Sequence, residues 1–183
     1  MKIGLIGFGK AGKAVANVIL QHTDFSLEWV LRNSEKMENL SAKDLLGISA
    51  SDSAMIYSQQ TTDLETLLTD HPVDFIIDFS NEKSIYSYGK IASQKKIKII
   101  SAISHYEENE TKFLKELSTD TVVFWSPNIT LGVNYLLFAS SLLKTIAPGV
   151  DIEVIEEHFK AKSGFSGTAV KIAEVLDVET ESI

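Results

Sequence analysis

The stretch Met1-Lys-Ile-Gly-Leu-Ile-Gly-Phe-Gly-Lys-Ala-Gly-Lys-Ala-Val-Ala16 opens the chain and decides the fold. Its apolar run Lys2–Ile6 is typical of a strand that is buried on both faces. Gly7, Gly9 and Gly12 follow in the spacing G-x-G-x-x-G, and an Ala/Val-rich helical pattern begins at once. Between a strand and a helix, this spacing predicts a dinucleotide site.

Each glycine of the turn has a predicted purpose. The first permits a tight turn, the second lets a pyrophosphate approach the backbone, and the third lets the helix lie close to the strand. The free N–H groups at the helix start then face the phosphates. The other interpretation is a merely structural glycine-rich turn. The residues that we expect at the cofactor from this turn are Gly7, Gly9, Lys10, Ala11 and Gly12.

Composition restricts the class of protein. A chain of 183 residues can form one full domain and part of another, and 44% hydrophobic and 23% charged residues are ordinary for a soluble globular protein. The net charge of −8 argues against nucleic acid or an anionic membrane as the main partner. The absence of cysteine excludes disulfides, a thiolate nucleophile and Cys-type zinc sites, and no other metal-ligand pattern occurs. We expect no membrane span and no signal peptide, and therefore a cytoplasmic protein.

Strand and helix patterns alternate along the chain up to about residue 126. This alternation predicts an α/β fold, a Rossmann-type doubly wound parallel sheet with right-handed crossovers. The strands predicted after the first are 26–31, 54–57, 73–79, 97–100 and 121–125. We therefore predict a dinucleotide-binding domain at 1–126 and a partial substrate-binding domain at 127–183. The second is expected to be an incomplete α+β domain, because 151–156 alternates polar and apolar residues as a half-exposed strand does.

Two later strands end in short polar turns. The first runs into Asp78-Phe79-Ser80-Asn81, and the second into Ser101-Ala-Ile-Ser104. Ligands of such folds bind outside the carboxyl ends of the parallel strands. We therefore expect Phe79, Ser80, Ser101 and Ser104 to contribute to the cofactor site.

Arg32 stands where the second strand ends. Sites that prefer NAD place an acidic residue there, which accepts from the ribose 2′-hydroxyl. An arginine can instead pair with a 2′-phosphate, and Asn33 can add a donor. This pattern favours NADPH and leaves NADH possible, whereas the alternative interpretation is a solvated polar turn.

The stretch Glu156-Glu-His-Phe-Lys-Ala-Lys-Ser-Gly-Phe-Ser-Gly-Thr-Ala169 concentrates reactive side chains. Ser166 or Thr168 can cap the last helix, and the N–H groups around Gly167 can hold a carboxylate. Lys160 and Lys162 can supply positive charge or a proton. The alternative is a surface loop with an ordinary helix cap.

Four segments in order resemble the dihydrodipicolinate reductase family of the lysine and diaminopimelate pathway. They are Ile3-Gly-Leu-Ile-Gly-Phe-Gly-Lys-Ala-Gly12, Ile76-Ile-Asp-Phe-Ser80, Pro127-Asn-Ile-Thr-Leu-Gly-Val-Asn134, and Glu156-Glu-His-Phe with Lys162 and Ser-Gly-Thr168-Ala169. The last two are much more specific than the glycines, and the resemblance extends over the whole chain. It implies an NAD(P)H-dependent oxidoreductase that reduces a cyclic imine dicarboxylate, a small-molecule partner.

The resemblance also implies roles for individual residues. His158 and Lys162 are expected to be catalytic, and Asn128 to contact the cofactor. The residues expected at the substrate are Phe159, Ser166, Gly167 and Thr168. If the full substrate domain is present, the family pattern implies a homo-oligomer.

This chain departs from the family pattern in several places. Phe159 replaces a second histidine, the lysine loop lacks Asp-Ala-Pro, and Ser101-Ala-Ile-Ser104 replaces Gly-Thr-Thr-Gly. The chain also stops soon after the last motif. These departures keep two alternatives open: a related reductase of a different imine or carbonyl acid, and a dinucleotide-binding paralogue without catalysis.

Overall fold

The computed structural model of the protein describes residues 1–157 and 165–179. Cα packing divides the chain into two compact units, Met1–Ser126 and Pro127–Ile183. None of the helices in these described ranges is both long enough and apolar enough to cross a bilayer.

The first unit is built on a six-stranded sheet in which every pair of neighbouring strands is parallel. The strands are β1 (Lys2–Ile6), β2 (Ser26–Arg32), β3 (Met55–Ser58), β4 (Phe75–Asp78), β5 (Lys98–Ser101) and β6 (Val123–Trp125). Their order is β3-β2-β1-β4-β5-β6. The predicted Rossmann-type fold is thus confirmed, and the chain reverses its direction of growth between β1 and β4, where such sheets open a crevice for ligands.

Helices cover both faces of the sheet. They are α1 (Lys10–Gln21), α2 (Ala42–Leu46), α3 (Leu64–Asp70), α4 (Ile85–Gln94) and α5 (Glu108–Leu117). One apolar cluster joins α1 and α2 to side chains such as Leu5 and Val30. The other joins α3, α4 and α5 to side chains such as Ile6 and Trp29. Because consecutive strand residues point to opposite faces, the continuous apolar runs fill both clusters.

The second unit, in its described part, is helical. It contains α6 (Leu131–Ile146) and α7 (Gly167–Leu176). Its small core gathers Val154, Ala169, Ala173 and Leu176, whereas α6 has no buried residue.

The predicted strand at 151–156 is wrong, because residues 151–157 form neither strand nor helix. Their side chains do alternate, since Val154 is buried and Ile155 is exposed. A strand needs a neighbour to complete its ladder of hydrogen bonds, and no strand in the described part of this unit supplies one.

Candidate active site

The turn after β1 requires glycine at two positions. Gly7 has a positive φ of 94°, and a Cβ there would lie 2.7 Å from the carbonyl carbon of Phe79. A Cβ at Gly12 would lie 2.1 Å from the carbonyl oxygen of Gly7. The first glycine therefore permits the turn, and the third brings α1 against it.

Gly9 is different, because the protein itself does not require a glycine there. It is the N-cap of α1, its backbone is extended, and a Cβ would meet nothing within 4 Å. No side chain caps α1, and its first turn contains no acidic residue. The helix therefore presents its free N–H groups and its positive end to an open space, with the exposed Lys10 beside it.

Arg32 is the last residue of β2, as expected. Its guanidinium donates to the carbonyl oxygen of Lys36, and its own carbonyl accepts from the N–H of Gln59 at 2.8 Å. Arg32 is half-buried, whereas Asn33 is exposed. The side chain thus fixes the turn that follows β2, and guanidinium donors remain for a further partner.

A cavity of about 510 Å³ opens at the carboxyl ends of β4 and β5. Four of the predicted cofactor residues line it: Ala11, Phe79, Ser80 and Ser104. The remaining lining residues are Asn81, Glu82, Ala102, Ile103, His105 and Glu107. Glu82 and Glu107 were not anticipated; the available signal was that Glu82 directly follows the first polar turn and Glu107 comes three residues after the second.

Ser101 does not line the cavity. It is fully buried, and its Oγ lies 2.8 Å from the hydroxyl oxygen of Tyr106. Burial, the largest cause, raises the pKa of Tyr106 to about 12, so this hydroxyl stays protonated. Sequence reasoning placed Ser101 at the correct edge, but a strand's last side chain can point into the core rather than toward the ligand.

The last-helix motif meets a distant segment of the second unit. Thr168 Oγ1 donates to Asn128 Oδ1 at 3.2 Å, which brings together residues from two separate motifs. Ser166 caps α7, because its Oγ accepts from the N–H of Ala169 at 2.9 Å. The N–H of Ser166 itself donates to Glu156 Oε1 at 2.7 Å. A protein carboxylate therefore already binds one amide beside the start of α7.

The sequence of the first unit and the start of the second decides the family. The family model described as "Dihydrodipicolinate reductase, N-terminus" matches residues 1–129. The chain belongs to the dihydrodipicolinate reductase family. The resemblance inferred from the four motifs is thus confirmed.

Curated relatives agree with this family. The 4-hydroxy-tetrahydrodipicolinate reductase of Caldanaerobacter subterraneus subsp. tengcongensis is 34% identical over 105 residues, which are 57% of this chain and 42% of that protein. The enzyme of the same name from Hahella chejuensis is 27% identical over 179 residues, which are 96% of this chain and 64% of that protein. The chain therefore spans less than two thirds of the length of these relatives.

A solved structure shares the fold. Dipicolinate-bound dihydrodipicolinate reductase from Paenisporosarcina sp. TG-14 superimposes with a TM-score of 0.68 at 18% identity, over 96% of this chain and 65% of that one. His158, Phe159 and Lys162 lie outside the described residues, so their predicted roles stay predictions.

Proposed function

We propose that the protein is an NADPH-dependent reductase of a cyclic imine dicarboxylate, of the 4-hydroxy-tetrahydrodipicolinate reductase type. The observation that carries the proposal is the open space at Gly9, which faces an uncapped helix start at the point where the sheet reverses its order. Among the described helices without a side-chain cap, only α1 has a glycine as its N-cap. A pyrophosphate fits this helix start, because it accepts hydrogen bonds from the amides and is attracted by the helix dipole.

The first unit holds the cofactor in this proposal. Gly7, Gly9 and Gly12 shape the pyrophosphate turn, and the lining residues Phe79, Ser80 and Ser104 enclose the nicotinamide side. Arg32 pairs with the 2′-phosphate, which favours NADPH over NADH because a guanidinium gains a charge-assisted hydrogen bond only with the phosphate.

The second unit binds the substrate. Helix geometry leaves the amides of Gly167 and Thr168 without a partner inside α7, and these amides hold a substrate carboxylate. Glu156 keeps the Ser166 amide in place, and Asn128 keeps the Thr168 hydroxyl in place. The proposed roles of His158, Phe159 and Lys162 come from the family motif.

The reaction needs a hydride, a proton and a fixed substrate. The bound cofactor supplies the hydride. Lys162 gives a proton to the imine nitrogen as the carbon of the C=N bond receives the hydride. His158 is the second catalytic group that the family motif implies. Positive charge at the lysine and the amides of α7 stabilise the carboxylates of the substrate.

The test combines binding with turnover. Purified protein is titrated with NADPH and with NADH, and oxidation of the cofactor is then followed with freshly generated 4-hydroxy-tetrahydrodipicolinate. Pyridine-2,6-dicarboxylate is expected to inhibit competitively. Lys162→Met is expected to lose turnover and keep cofactor affinity, whereas the exposed Lys171→Met, whose amine pairs with Glu174, serves as the matched control. NADPH binding without turnover of this substrate would contradict the proposal.

A second candidate is a reductase of a different imine or carbonyl acid. It is favoured by two departures from the family motif, Phe159 in place of a second histidine and Ser101-Ala-Ile-Ser104 in place of Gly-Thr-Thr-Gly. The same assay decides, with monocarboxylate imines and 2-oxo acids run beside the dicarboxylate. Higher kcat/KM for a monocarboxylate would favour this second candidate.

A further inference from the structure

The residues 79–83, here called the rim segment, follow β4 and lead to Ser84, the N-cap residue of α4. Phe79, Ser80 and Asn81 line the cavity, and the backbone of Phe79 and Ser80 packs on Gly7. A Cβ at Gly7 would come within 2.9 Å of the Ser80 nitrogen. The rim segment therefore sets both the shape of the cavity and the position of the glycine turn.

Asp78 holds the rim segment at its beginning. This carboxyl group is completely buried at the end of β4. Its Oδ1 accepts from the N–H of Ser80 at 2.8 Å and also from the Ser80 hydroxyl, and its Oδ2 accepts from the Tyr88 hydroxyl at 2.9 Å. Burial raises the pKa of Asp78, which means that the core disfavours this charge.

Glu110 holds the rim segment at its end. It lies in the first turn of α5 and is only 1% exposed. Its Oε1 accepts from Lys83 Nζ at 2.8 Å and from the Tyr86 hydroxyl at 2.8 Å. The hydrogen bond from Lys83, followed by that from Tyr86, holds the pKa of Glu110 at about 2, so the group stays ionised.

We infer that Asp78 and Glu110 are positioning residues, which fix the two ends of the rim segment so that the cavity is preformed for the cofactor. The inference rests on the proposed function. Burying a carboxylate is unfavourable unless hydrogen bonds compensate, and each group uses an oxygen to accept from the rim segment. Among the described residues, Oε2 of Glu110 has no hydrogen-bond partner although it is buried, so this carboxylate is kept at a cost to the fold. Neither group lines the cavity itself, so each acts through the rim segment.

The first test replaces each carboxyl by its amide. Asp78→Asn removes the charge that strengthens the Ser80 hydrogen bonds and the second oxygen that accepts from Tyr88, and we expect a rise of about tenfold in Kd for NADPH. KM for NADPH should rise in parallel, while kcat at saturating cofactor changes less. Glu108→Gln is the matched control for Glu110→Gln, since Glu108 is an exposed residue of the same helix that pairs with Lys112.

A double-mutant cycle distinguishes a positioning role of the Lys83–Glu110 pair from direct attraction between Lys83 and the cofactor phosphates. Lys83→Met, Glu110→Gln and the double variant are titrated with NADPH by calorimetry. If the pair acts by holding the rim segment, the double variant binds no more weakly than the weaker single variant. If Lys83 instead attracts the phosphates directly, the two effects multiply and the inference is overturned.

The outcomes are distinguishable from failure of the proposed function. Wild-type protein that does not bind NADPH contradicts the proposed function itself. Wild-type protein that binds NADPH beside a folded Asp78→Asn variant with the same Kd overturns only the inference. Should Asp78→Asn fail to fold, as seen by circular dichroism, the cycle on Lys83 and Glu110 decides alone.

Discussion

Replacing Gly9 by alanine separates what the fold needs from what the ligand needs. The backbone at Gly9 (φ −79°, ψ −162°) is open to alanine, and the added methyl group meets nothing within 4 Å. The free energy of unfolding should therefore fall by no more than about 1 kcal/mol, which is the usual preference for glycine over alanine at an N-cap. The affinity for the dinucleotide should fall, because the methyl group occupies the space that a pyrophosphate oxygen needs to reach the amides.

The expected loss of affinity follows from those amides. Losing one amide-to-phosphate hydrogen bond costs about 1.5–3 kcal/mol, which raises Kd by about tenfold to a hundredfold. Gly12→Ala is the contrasting variant, because its methyl group would lie 2.1 Å from the Gly7 carbonyl oxygen. Overpacking of this kind costs about 1–3 kcal/mol, of which the better helix propensity of alanine returns about 1 kcal/mol.

Two measurements check this pair of variants. Urea unfolding gives the free energy of unfolding, and a fluorescence titration gives Kd for NADPH. We expect Gly9→Ala to keep most of its stability and to bind NADPH more weakly. Gly12→Ala should lose both stability and affinity for NADPH. A Gly9→Ala variant that binds NADPH within twofold of the wild type would refute the placement of the pyrophosphate at this turn.

Three further variants test other parts of the structure. Arg32→Ala should raise Kd for NADPH about tenfold and Kd for NADH much less, because only NADPH carries the 2′-phosphate; parallel titrations measure the ratio. Glu110→Gln should make the free energy of unfolding less dependent on pH in acid. The pKa of Glu110 is about 2 in the fold against 4.5 ordinarily, so the ionised group stabilises the fold above pH 4.5 and this stabilisation is lost toward pH 2. Urea unfolding at a series of pH values measures the difference between variant and wild type. Ser166→Ala should lower the free energy of unfolding of the second unit by about 1 kcal/mol, because the Ala169 N–H loses its cap; hydrogen exchange in α7 reports this loss.

The glycine turn was predictable because its constraints are local. Gly7, Gly9 and Gly12 lie within six residues, and the strand and helix that flank them have clear apolar periodicity. The parallel sheet was predictable for a related reason, since a strand that alternates with helices must return in the same direction.

Contacts between distant segments were not predictable. Asn128 and Thr168 are 40 residues apart, and nothing local indicates that their side chains meet. The strand expected at 151–156 failed for the opposite reason: its alternation is a local signal, but a strand also needs a neighbour. The burial of Ser101 shows a third limit, because a strand end fixes the edge of the sheet but not which way its last side chain points.

The net charge of −8 does not prevent binding of an anionic cofactor, because binding depends on the local electrostatic potential at the site rather than on the charge of the whole chain. The starts of α2, α3 and α7 are each closed by a side-chain oxygen, from Ser41, Asp63 and Ser166. The start of α1 is not, although such a cap contributes about 1 kcal/mol. Other uncapped helices exist, but among the described ones only α1 combines a glycine N-cap with a start beside the β1–β4 crevice. An anion-binding turn requires such a helix start, because a side-chain cap would occupy the N–H groups that the anion needs.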